Sequence, residues 1–334
     1  SSLVYAGTSF DGLYRSVDGA ANWVPANYSL TGTYVECMAI PPDLPDTAYA
    51  GCGGHIFETA DAGRSWQVQA GSQYAMDLEI DPLSPATMYA CPLYGVVKTT
   101  DRGKTWNDAS NGLPTDAYIR CVAINPANPQ VLYAGLSPHS PVPSIVYRST
   151  NGGQSWYPTV APDSTNEVMD LLVDPRAPNT VYAAVWGSPG IFRTTDGGMT
   201  WGSKSSGLSS YLMNGLTMDP GSSSVLYAAT IGGGVNKSTN GGSYWTPTNA
   251  GLGSSTALRI AVDPDNSNIV YAGTDFGLYQ SVDAGDSWAL STLILATAKV
   301  NGLAVTSGSP KTVYAGTGGG VYSTSFTEDG AAVR

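Results

Sequence analysis

The chain has 334 residues and a net charge of −11, and only 12% of its residues are charged. A nucleic-acid-binding protein needs basic residues to neutralise phosphates, and anionic membrane surfaces attract basic segments, so neither is an expected partner. No run of about 18 apolar residues is present, so the sequence predicts no membrane span. The abundance of Gly, Ser, Thr, Pro and Tyr is typical of a sheet protein with many tight turns.

One eight-residue motif, of which TTDGGMTW (194–201) is a clear copy, recurs seven times and ends in Trp each time. The copies are spaced by 40–50 residues, a period that indicates a propeller or a solenoid. A catalytic site would not be copied seven times, whereas a structural turn would be. We call this motif the Asp/Asn turn; its acidic or amide residues are Asp18, Asp61, Asp101, Asn151, Asp196, Asn240 and Asp283.

Each repeat contains four strand-like segments, which we call strands A to D. In residues 168–207 they read VMDLLVDP, VYAAVW, IFRTTD and TWGSKS. Each is short, rich in β-branched and aromatic residues, and bounded by Gly, Pro, Asn or Asp. The Asp/Asn turn connects strand C to strand D, where Asp or Asn bonds its own backbone and Gly supplies a positive φ. Four antiparallel strands per repeat predict the blade of an all-β propeller.

The S/T-x-D-x-G-x-S/T-W pattern resembles the Asp-box, or BNR, repeat of sialidases, sortilin, xyloglucanases and photosystem II assembly-factor propellers. The resemblance covers residues 3–326 and implies a β-propeller. Two copies carry Asn at the acidic position, and the first carries Ala20 in place of Gly. Because many functions share this fold, the resemblance does not identify one.

Strands A and D occur seven times, whereas strands B and C occur eight times. The chain is therefore expected to form one propeller domain over residues 1–334, with a short C-terminal tail at 327–334. Seven four-stranded blades, closed by strands from both termini, are the favoured count, and eight blades are the alternative. Seven blades leave one B–C hairpin in surplus, which could pair with a second copy of the chain.

The chain contains four cysteines and no CxxC pair, so neither a zinc site nor a redox motif is expected. Buried free thiols are the favoured interpretation, and a Cys52–Cys91 disulfide is the alternative. The two histidines, His55 and His139, are far apart in sequence and provide no metal-ligand cluster. The sequence predicts no metal and no cofactor.

Candidate binding residues come from the B–C loops, which share a propeller face with the D–A loops. Loops that converge over a rigid scaffold are usual binding positions, and aromatic side chains with carboxylates suit sugars or peptides. The B–C candidates are Phe10, Asp11, Tyr94, His139, Trp186, Asp275 and Phe276. In strand A, which lines the channel, Asp77, Asp170 and Arg259 occupy equivalent positions of three repeats and form the candidate channel set.

Two functions are weighed from these residues. The favoured one is a non-catalytic, extracellular, cell-surface or periplasmic propeller that binds a protein or a polysaccharide. The alternative is a glycoside hydrolase like a xyloglucanase or a sialidase. A sialidase resemblance implies an Arg triad with a Tyr–Glu pair, and the sequence shows no such set. A xyloglucanase resemblance implies two propellers with substrate between them, whereas this chain contains the repeats of one.

Overall fold

The computed structural model describes residues 4–7, 13–16, 24–25, 35–44, 47–61, 65–139, 142, 144–160, 166–291, 299–305, 311–317 and 320–326. Within these ranges the chain forms thirty β-strands. No helix in the described part is long and apolar enough to cross a membrane.

The strands are numbered along the chain. The first three are β1 (Val4–Gly7), β2 (Leu13–Ser16) and β3 (Val24–Pro25). Blade 1 contains β4 (Val35–Ala39), β5 (Ala48–Cys52), β6 (His55–Thr59) and β7 (Gln67–Val68). Blade 2 contains β8 (Asp77–Ile80), β9 (Met88–Cys91), β10 (Val97–Thr99) and β11 (Asn107–Asp108). Blade 3 contains β12 (Ala117–Ile124), β13 (Leu132–Pro138), β14 (Val146–Ser149) and β15 (Tyr157–Pro158).

The remaining strands follow the same pattern. Blade 4 contains β16 (Val168–Val173), β17 (Val181–Val185), β18 (Ile191–Thr194) and β19 (Gly202–Ser203). Blade 5 contains β20 (Met213–Asp219), β21 (Ser222–Thr230), β22 (Gly234–Ser238) and β23 (Thr246–Pro247). Blade 6 contains β24 (Ala257–Asp263), β25 (Asn266–Thr274), β26 (Gly277–Ser281) and β27 (Ala289–Leu290). The last strands are β28 (Val300–Val305), β29 (Lys311–Thr317) and β30 (Gly320–Phe326).

The fold is an all-β propeller with six four-stranded antiparallel blades in the described residues. The prediction of seven blades of this kind is therefore wrong, as is the alternative of eight. Strands from both ends of the chain instead form one six-stranded sheet in the order β28-β29-β30-β1-β2-β3, which we call the terminal sheet. The surplus B–C hairpin is absorbed there, because β1 pairs with β30 at Gly7 and Gly320. The number of strand-like segments in the sequence is the same whether the surplus hairpin forms part of an additional blade or adds two strands to the terminal sheet, so counting them could not distinguish the two arrangements.

The first strands of the blades surround the axis. Contacts run from β4 through β8, β12, β16, β20 and β24 to β28, and β28 contacts β4 again. The terminal sheet thus lies between blade 6 and blade 1. These inner strands enclose a central channel.

The connections separate onto two faces. Each Asp/Asn turn in blades 2 to 6 bonds the A–B turn of its own blade, as when Gly197 N donates to Asn179 O at 3.0 Å. The B–C loops bond the segments that lead into strand A, as when Trp186 N donates to Glu167 O at 2.8 Å. We call the first side the turn face and the second the loop face.

Buried aromatic residues join neighbouring blades. A Tyr on strand B is buried in each of the six blades, and Tyr227 donates its hydroxyl to Ala284 O in the Asp/Asn turn of the next blade at 2.7 Å. The Trp that closes the turn points the other way, since Trp245 Nε1 donates to Lys204 O of the previous blade at 2.7 Å. Side chains of this kind therefore add directed hydrogen bonds to the apolar contact between neighbouring blades, although Trp106 Nε1 and Trp201 Nε1 are buried without a hydrogen-bond partner among the described residues.

The Asp/Asn turns form compact hydrogen-bond networks. Asp196 Oδ1 accepts from Thr200 N at 2.9 Å and from the Thr194 hydroxyl at 2.7 Å, and Oδ2 accepts from the Thr200 hydroxyl at 2.5 Å. Asn151 accepts from Ser155 N in the same way at 3.0 Å. Asp18 lies outside the described residues. All four cysteines, Cys52 and Cys91 included, are buried thiols that form no disulfide.

A glycine controls the approach of one blade to the next. Gly207 has a φ of +86°, and a Cβ there would lie 2.2 Å from Trp245 O. We expect Gly207→Ala to lower the free energy of unfolding in urea by about 1–2 kcal/mol for the left-handed backbone and about 1–3 kcal/mol more for the collision. Gly232→Ala is the matched control, because its φ is +79° and a Cβ there meets nothing within 4 Å. Equal losses for the two variants would contradict a blade-to-blade contact.

The charged turns should make stability acid-sensitive. Hydroxyl and backbone hydrogen bonds hold the pKa of Asp101, Asp196 and Asp283 at about 2, below the usual Asp value of about 3.9. Their stabilisation is therefore complete above about pH 4 and is lost as the pH falls towards 2. We expect the triple variant with Asn at these positions, which copies the natural Asn151 turn, to lose less Tm than the unsubstituted chain between about pH 5 and about pH 2. Parallel Tm curves would show that the turns do not contribute.

Candidate functional site at the mouth of the central channel

A cavity of about 110 Å³ lies on the channel axis. Residues from the inner strands of blades 3 to 6, and Met76 and Asp77 of blade 2, line it. The two carboxylates in the lining are Asp77 and Asp170, and the two guanidinium groups are Arg120 and Arg259. These side chains lie near the start of strand A and so near the loop face.

Bulges in the inner strands select the side chains at this position. The pairing of strands A and B shifts between Val35 and Cys37, between Ile119 and Cys121, and between Met213 and Gly215. A bulge inserts one additional residue, bends the strand and re-aims a side chain. The inserted residues of these three strands are Glu36, Arg120 and Asn214.

The predicted channel carboxylates bridge adjacent blades. Asp77 accepts from its neighbour Leu78 N at 2.9 Å and from Val122 N of blade 3 at 2.9 Å. Asp170 repeats the arrangement with Leu171 N and with Leu216 N of blade 5, both at 2.8 Å. Each oxygen of these carboxylates therefore accepts one backbone N–H, and each carboxylate joins two adjacent blades.

Burial changes the ionisation of the channel carboxyls. It raises the pKa of Asp170 to about 6, against the opposing effects of Leu216 N and Arg259. Burial also raises the pKa of Asp77, and it raises that of Glu79 well above its usual range, with the charges of Asp77 and Asp170 adding to the effect on Glu79. The Asp170 carboxyl thus gains a proton at mildly acidic pH, and the other two channel carboxyls are also easier to protonate than an exposed carboxyl.

Glu36 and two arginines complete the channel mouth. The Tyr74 hydroxyl donates to Glu36 Oε1 at 2.5 Å. Burial raises the pKa of Glu36, while the Tyr74 hydrogen bond and the charges of Arg120 and Arg259 oppose the rise. A Tyr–Glu pair and two arginines therefore meet here, a grouping that the sequence analysis missed.

The three predicted channel residues Asp77, Asp170 and Arg259 line the same cavity. Whether they act on a ligand remains a prediction. Glu36, Arg120 and Asn214 were not predicted. Each is the additional residue of a bulge, and the strict alternation of inward and outward residues used to read a strand does not allow for an additional residue. Their one available signal was their equivalent place in the repeat, directly before Cys37, Cys121 and Gly215.

On the loop face, the structure brings two predicted residues together. Tyr94 and His139 lie with their ring centroids 6.5 Å apart, and Tyr118 packs against both, at 5.1 Å from Tyr94 and 4.3 Å from His139. His139 Nδ1 contacts Asp116 O at 2.8 Å, which anchors the long B–C loop of blade 3. Tyr94 is 54% exposed, so the cluster presents an aromatic surface to solvent.

The other predicted loop residues lie on different blades. Trp186 in blade 4 is half-buried and forms an antiparallel bridge with Leu212. In blade 6, Phe276 is exposed and Asp275 accepts a hydrogen bond from the Ser254 hydroxyl. Phe10 and Asp11 lie outside the described residues. In the part of the chain that is described, no group of three or more His, Cys, Asp or Glu side chains forms a potential metal site.

No family model matches the chain. Two curated relatives are a probable oligoxyloglucan-reducing end-specific xyloglucanase of Neosartorya fischeri, 24% identical over 182 residues, and a xyloglucanase of a Paenibacillus species, 24% identical over 207 residues. Each alignment covers 46% of this chain but only 22% and 19% of the relatives. The chain thus matches about a fifth of their length.

Solved structures share the fold at low identity. The GH74 xyloglucanase from Xanthomonas campestris gives a TM-score of 0.71 at 16% identity over 94% of this chain and 56% of that one. The GH74 enzyme of Niastella koreensis gives 0.71 at 20% identity, over 99% and 58%. YCF48 from Cyanidioschyzon merolae gives 0.64 at 15%, over 87% and 95%. These similarities establish a β-propeller.

The comparisons correct the functional prediction. The sequence analysis favoured a non-catalytic binding propeller, but the curated relatives are xyloglucanases. They contradict both that interpretation and the expectation that the chain is not an enzyme. The prediction was wrong because no sequence motif contains a complete catalytic set, and residues that are distant in sequence form such a set only in the folded chain.

The Asp170 carboxyl should give a characteristic pH profile. Its pKa in the folded chain, about 6, lies above the usual Asp value of about 3.9, so folding favours the protonated form. The stability from this group is complete below about pH 4 and falls as the pH rises through 6. Asp170→Asn should lower Tm, because its amide cannot accept from both backbone N–H groups. The loss, measured by thermal unfolding, should be larger at about pH 4 than at about pH 7; a loss that grows with pH would contradict this assignment.

Proposed function

We propose that this chain is a glycoside hydrolase module that acts on xyloglucan or a closely related polysaccharide. The observation that carries the proposal is the alignment with curated xyloglucanases over 46% of the chain. The propeller of the GH74 enzymes supports it at the level of fold. The substrate is a neutral polysaccharide, which is compatible with a chain of net charge −11.

The loop face is the proposed substrate surface. The Tyr94–Tyr118–His139 cluster offers ring faces and edges on which a sugar can pack, together with two phenol groups for its hydroxyls. The exposed Phe276 provides a second aromatic position in blade 6. A chain of linked sugars extends over several residues and can contact more than one loop.

Asp275 is the proposed catalytic carboxylate of this face. Glycoside hydrolysis uses two carboxyl groups that flank the scissile bond, so each of them must face the substrate, and Asp275 is proposed as one of the two. Asp77 and Asp170 suit that role less well, because they line the axial cavity and each carboxylate bridges backbone amides of two adjacent blades. Asp275 is half-buried beside Phe276, Ser254 orients its Oδ1, and its Oδ2 has no hydrogen-bond partner among the described residues.

The type of the Asp/Asn turns and the location of the protein are also part of this proposal. We assign the seven Asp/Asn turns to the Asp-box type and place the protein outside the cytoplasm, where polysaccharides are encountered. The extracellular domain of BT4673 from B. thetaiotaomicron has the same fold at 15% identity. Pairing of the terminal hairpin with a second copy stays a prediction. Within the structure, β1 pairs with β30 of its own chain.

Hydrolysis is tested by measuring reducing ends released from xyloglucan, with chitin as the polysaccharide control. We expect release from xyloglucan only. Asp275→Asn should lower kcat/KM by about 100-fold or more, because a carboxylate that transfers a proton or attacks the sugar contributes at least that much.

The matched control is Asp265→Asn, which removes an exposed carboxylate from the A–B turn of blade 6 on the turn face. It should leave kcat/KM unchanged. No release of reducing ends from xyloglucan would refute the proposed activity. Equal kcat/KM values for the two variants would refute the catalytic role of Asp275.

A further inference from the structure

The axial cavity has spare hydrogen-bond donors. An arginine carries five N–H donors, yet the only hydrogen bond of the Arg120 guanidinium among the described residues goes to Met169 Sδ at 3.6 Å. Arg259 donates Nη1 to Leu258 O at 2.8 Å and to Asn214 O at 3.3 Å, which leaves its remaining N–H groups available. The described residues contain two salt bridges, and neither involves these arginines.

The carboxylates of the cavity, by contrast, already have protein donors. Asp77 and Asp170 each hold two backbone amides. Glu36 accepts from the Tyr74 hydroxyl at the cavity mouth. Each of these carboxylates already has protein donors, whereas the two guanidinium groups keep N–H donors that have no acceptor among the described residues, so the partner that the cavity lacks is an acceptor.

We propose that the axial cavity binds a carboxylate anion through Arg120 and Arg259. The source is either a small carboxylic acid or the carboxylate of an acidic sugar. The volume of about 110 Å³ has room for several water molecules, which a carboxylate group can replace. The proposal is independent of the hydrolase, because it concerns the channel axis and a charged ligand.

Guanidinium geometry favours a carboxylate as the ligand. The planar fork of Arg matches two carboxylate oxygens, and such charge-assisted pairs are stronger than neutral hydrogen bonds. Arg120 belongs to blade 3 and Arg259 to blade 6, so they approach the cavity from different inner strands. A phosphate dianion would meet more repulsion from Glu36, Asp77 and Asp170 than a singly charged carboxylate does.

The surrounding charges make binding depend on pH. The titratable groups around the two arginines are Glu36, Asp77, Asp170 and the Cys121 thiol, and burial raises the pKa of each. Glu79, whose pKa burial also raises, is close enough to Asp77 and Asp170 for their charges to add to that effect. Protonation of these carboxyls leaves the guanidinium charges uncompensated. Anion affinity should therefore rise as the pH falls through about 6, the pKa of Asp170.

The test is calorimetric titration of the whole chain with acetate, glucuronate, inorganic phosphate and glucose at about pH 5 and about pH 7.5. We expect acetate or glucuronate to bind, more tightly at the lower pH, and glucose not to bind in the cavity. Glucuronate tighter than acetate identifies an acidic sugar, and equal binding identifies a small acid. Binding of phosphate alone, or of no anion, overturns the proposal.

Two variants that should change carboxylate affinity in opposite directions distinguish a ligand-binding role from a structural one. Arg120→Gln should weaken carboxylate binding by about 10-fold or more, whereas Arg176→Gln, the same change at an exposed site on the turn face, should not alter it. Glu36→Gln keeps an oxygen for Tyr74 but removes a negative charge, so it should tighten binding. Unchanged affinity in Arg120→Gln, or weaker binding in Glu36→Gln, overturns the proposal. If Arg120→Gln does not fold, the Glu36 variant and the pH dependence still decide it.

Discussion

The contact between neighbouring blades is the interaction on which the rest of the structure depends. A single four-stranded sheet cannot bury both of its faces, so each blade needs a partner on either side. Buried Tyr hydroxyls such as Tyr227 reach forward to the next Asp/Asn turn, and Trp indoles such as Trp245 reach back to the previous blade. The Asp/Asn turn is therefore part of the seam between blades as well as the hairpin that joins strands C and D.

The same packing creates the channel and determines what it contains. Inner strands approach one another only if their polar edges find partners, and Asp77 and Asp170 supply these by accepting amides from the next blade. Carboxylates used in this way are held in place by the packing of the blades. Arg120 and Arg259, by contrast, form no salt bridge with a carboxylate among the described residues. The cavity therefore contains N–H donors that have no acceptor in the described part of the chain.

Repetition made most of the fold predictable, and the exceptions have physical causes. Seven copies of the turn, each closed by a Trp, indicated a propeller from sequence alone. The predicted number of blades was wrong because the sequence of a strand does not show which strand it pairs with. It could not tell whether β1 belongs to a new blade or extends the sheet that contains β30. At the site, Asp77, Asp170 and Arg259 were found from their repeat position. Glu36 and Arg120 were missed because a bulge is a property of the backbone that residue type does not specify.

Loop face and axis present different chemistry to a ligand. The loop face offers aromatic rings and the carboxylate of Asp275, a combination suited to an uncharged sugar chain. The axis offers guanidinium groups among carboxyls of raised pKa, a combination suited to a small anion. The two sites are built on different structural features, variable loops in one case and strand bulges in the other. A change in the loops can therefore alter the proposed polysaccharide surface while the proposed axial anion site, fixed by blade packing, is retained.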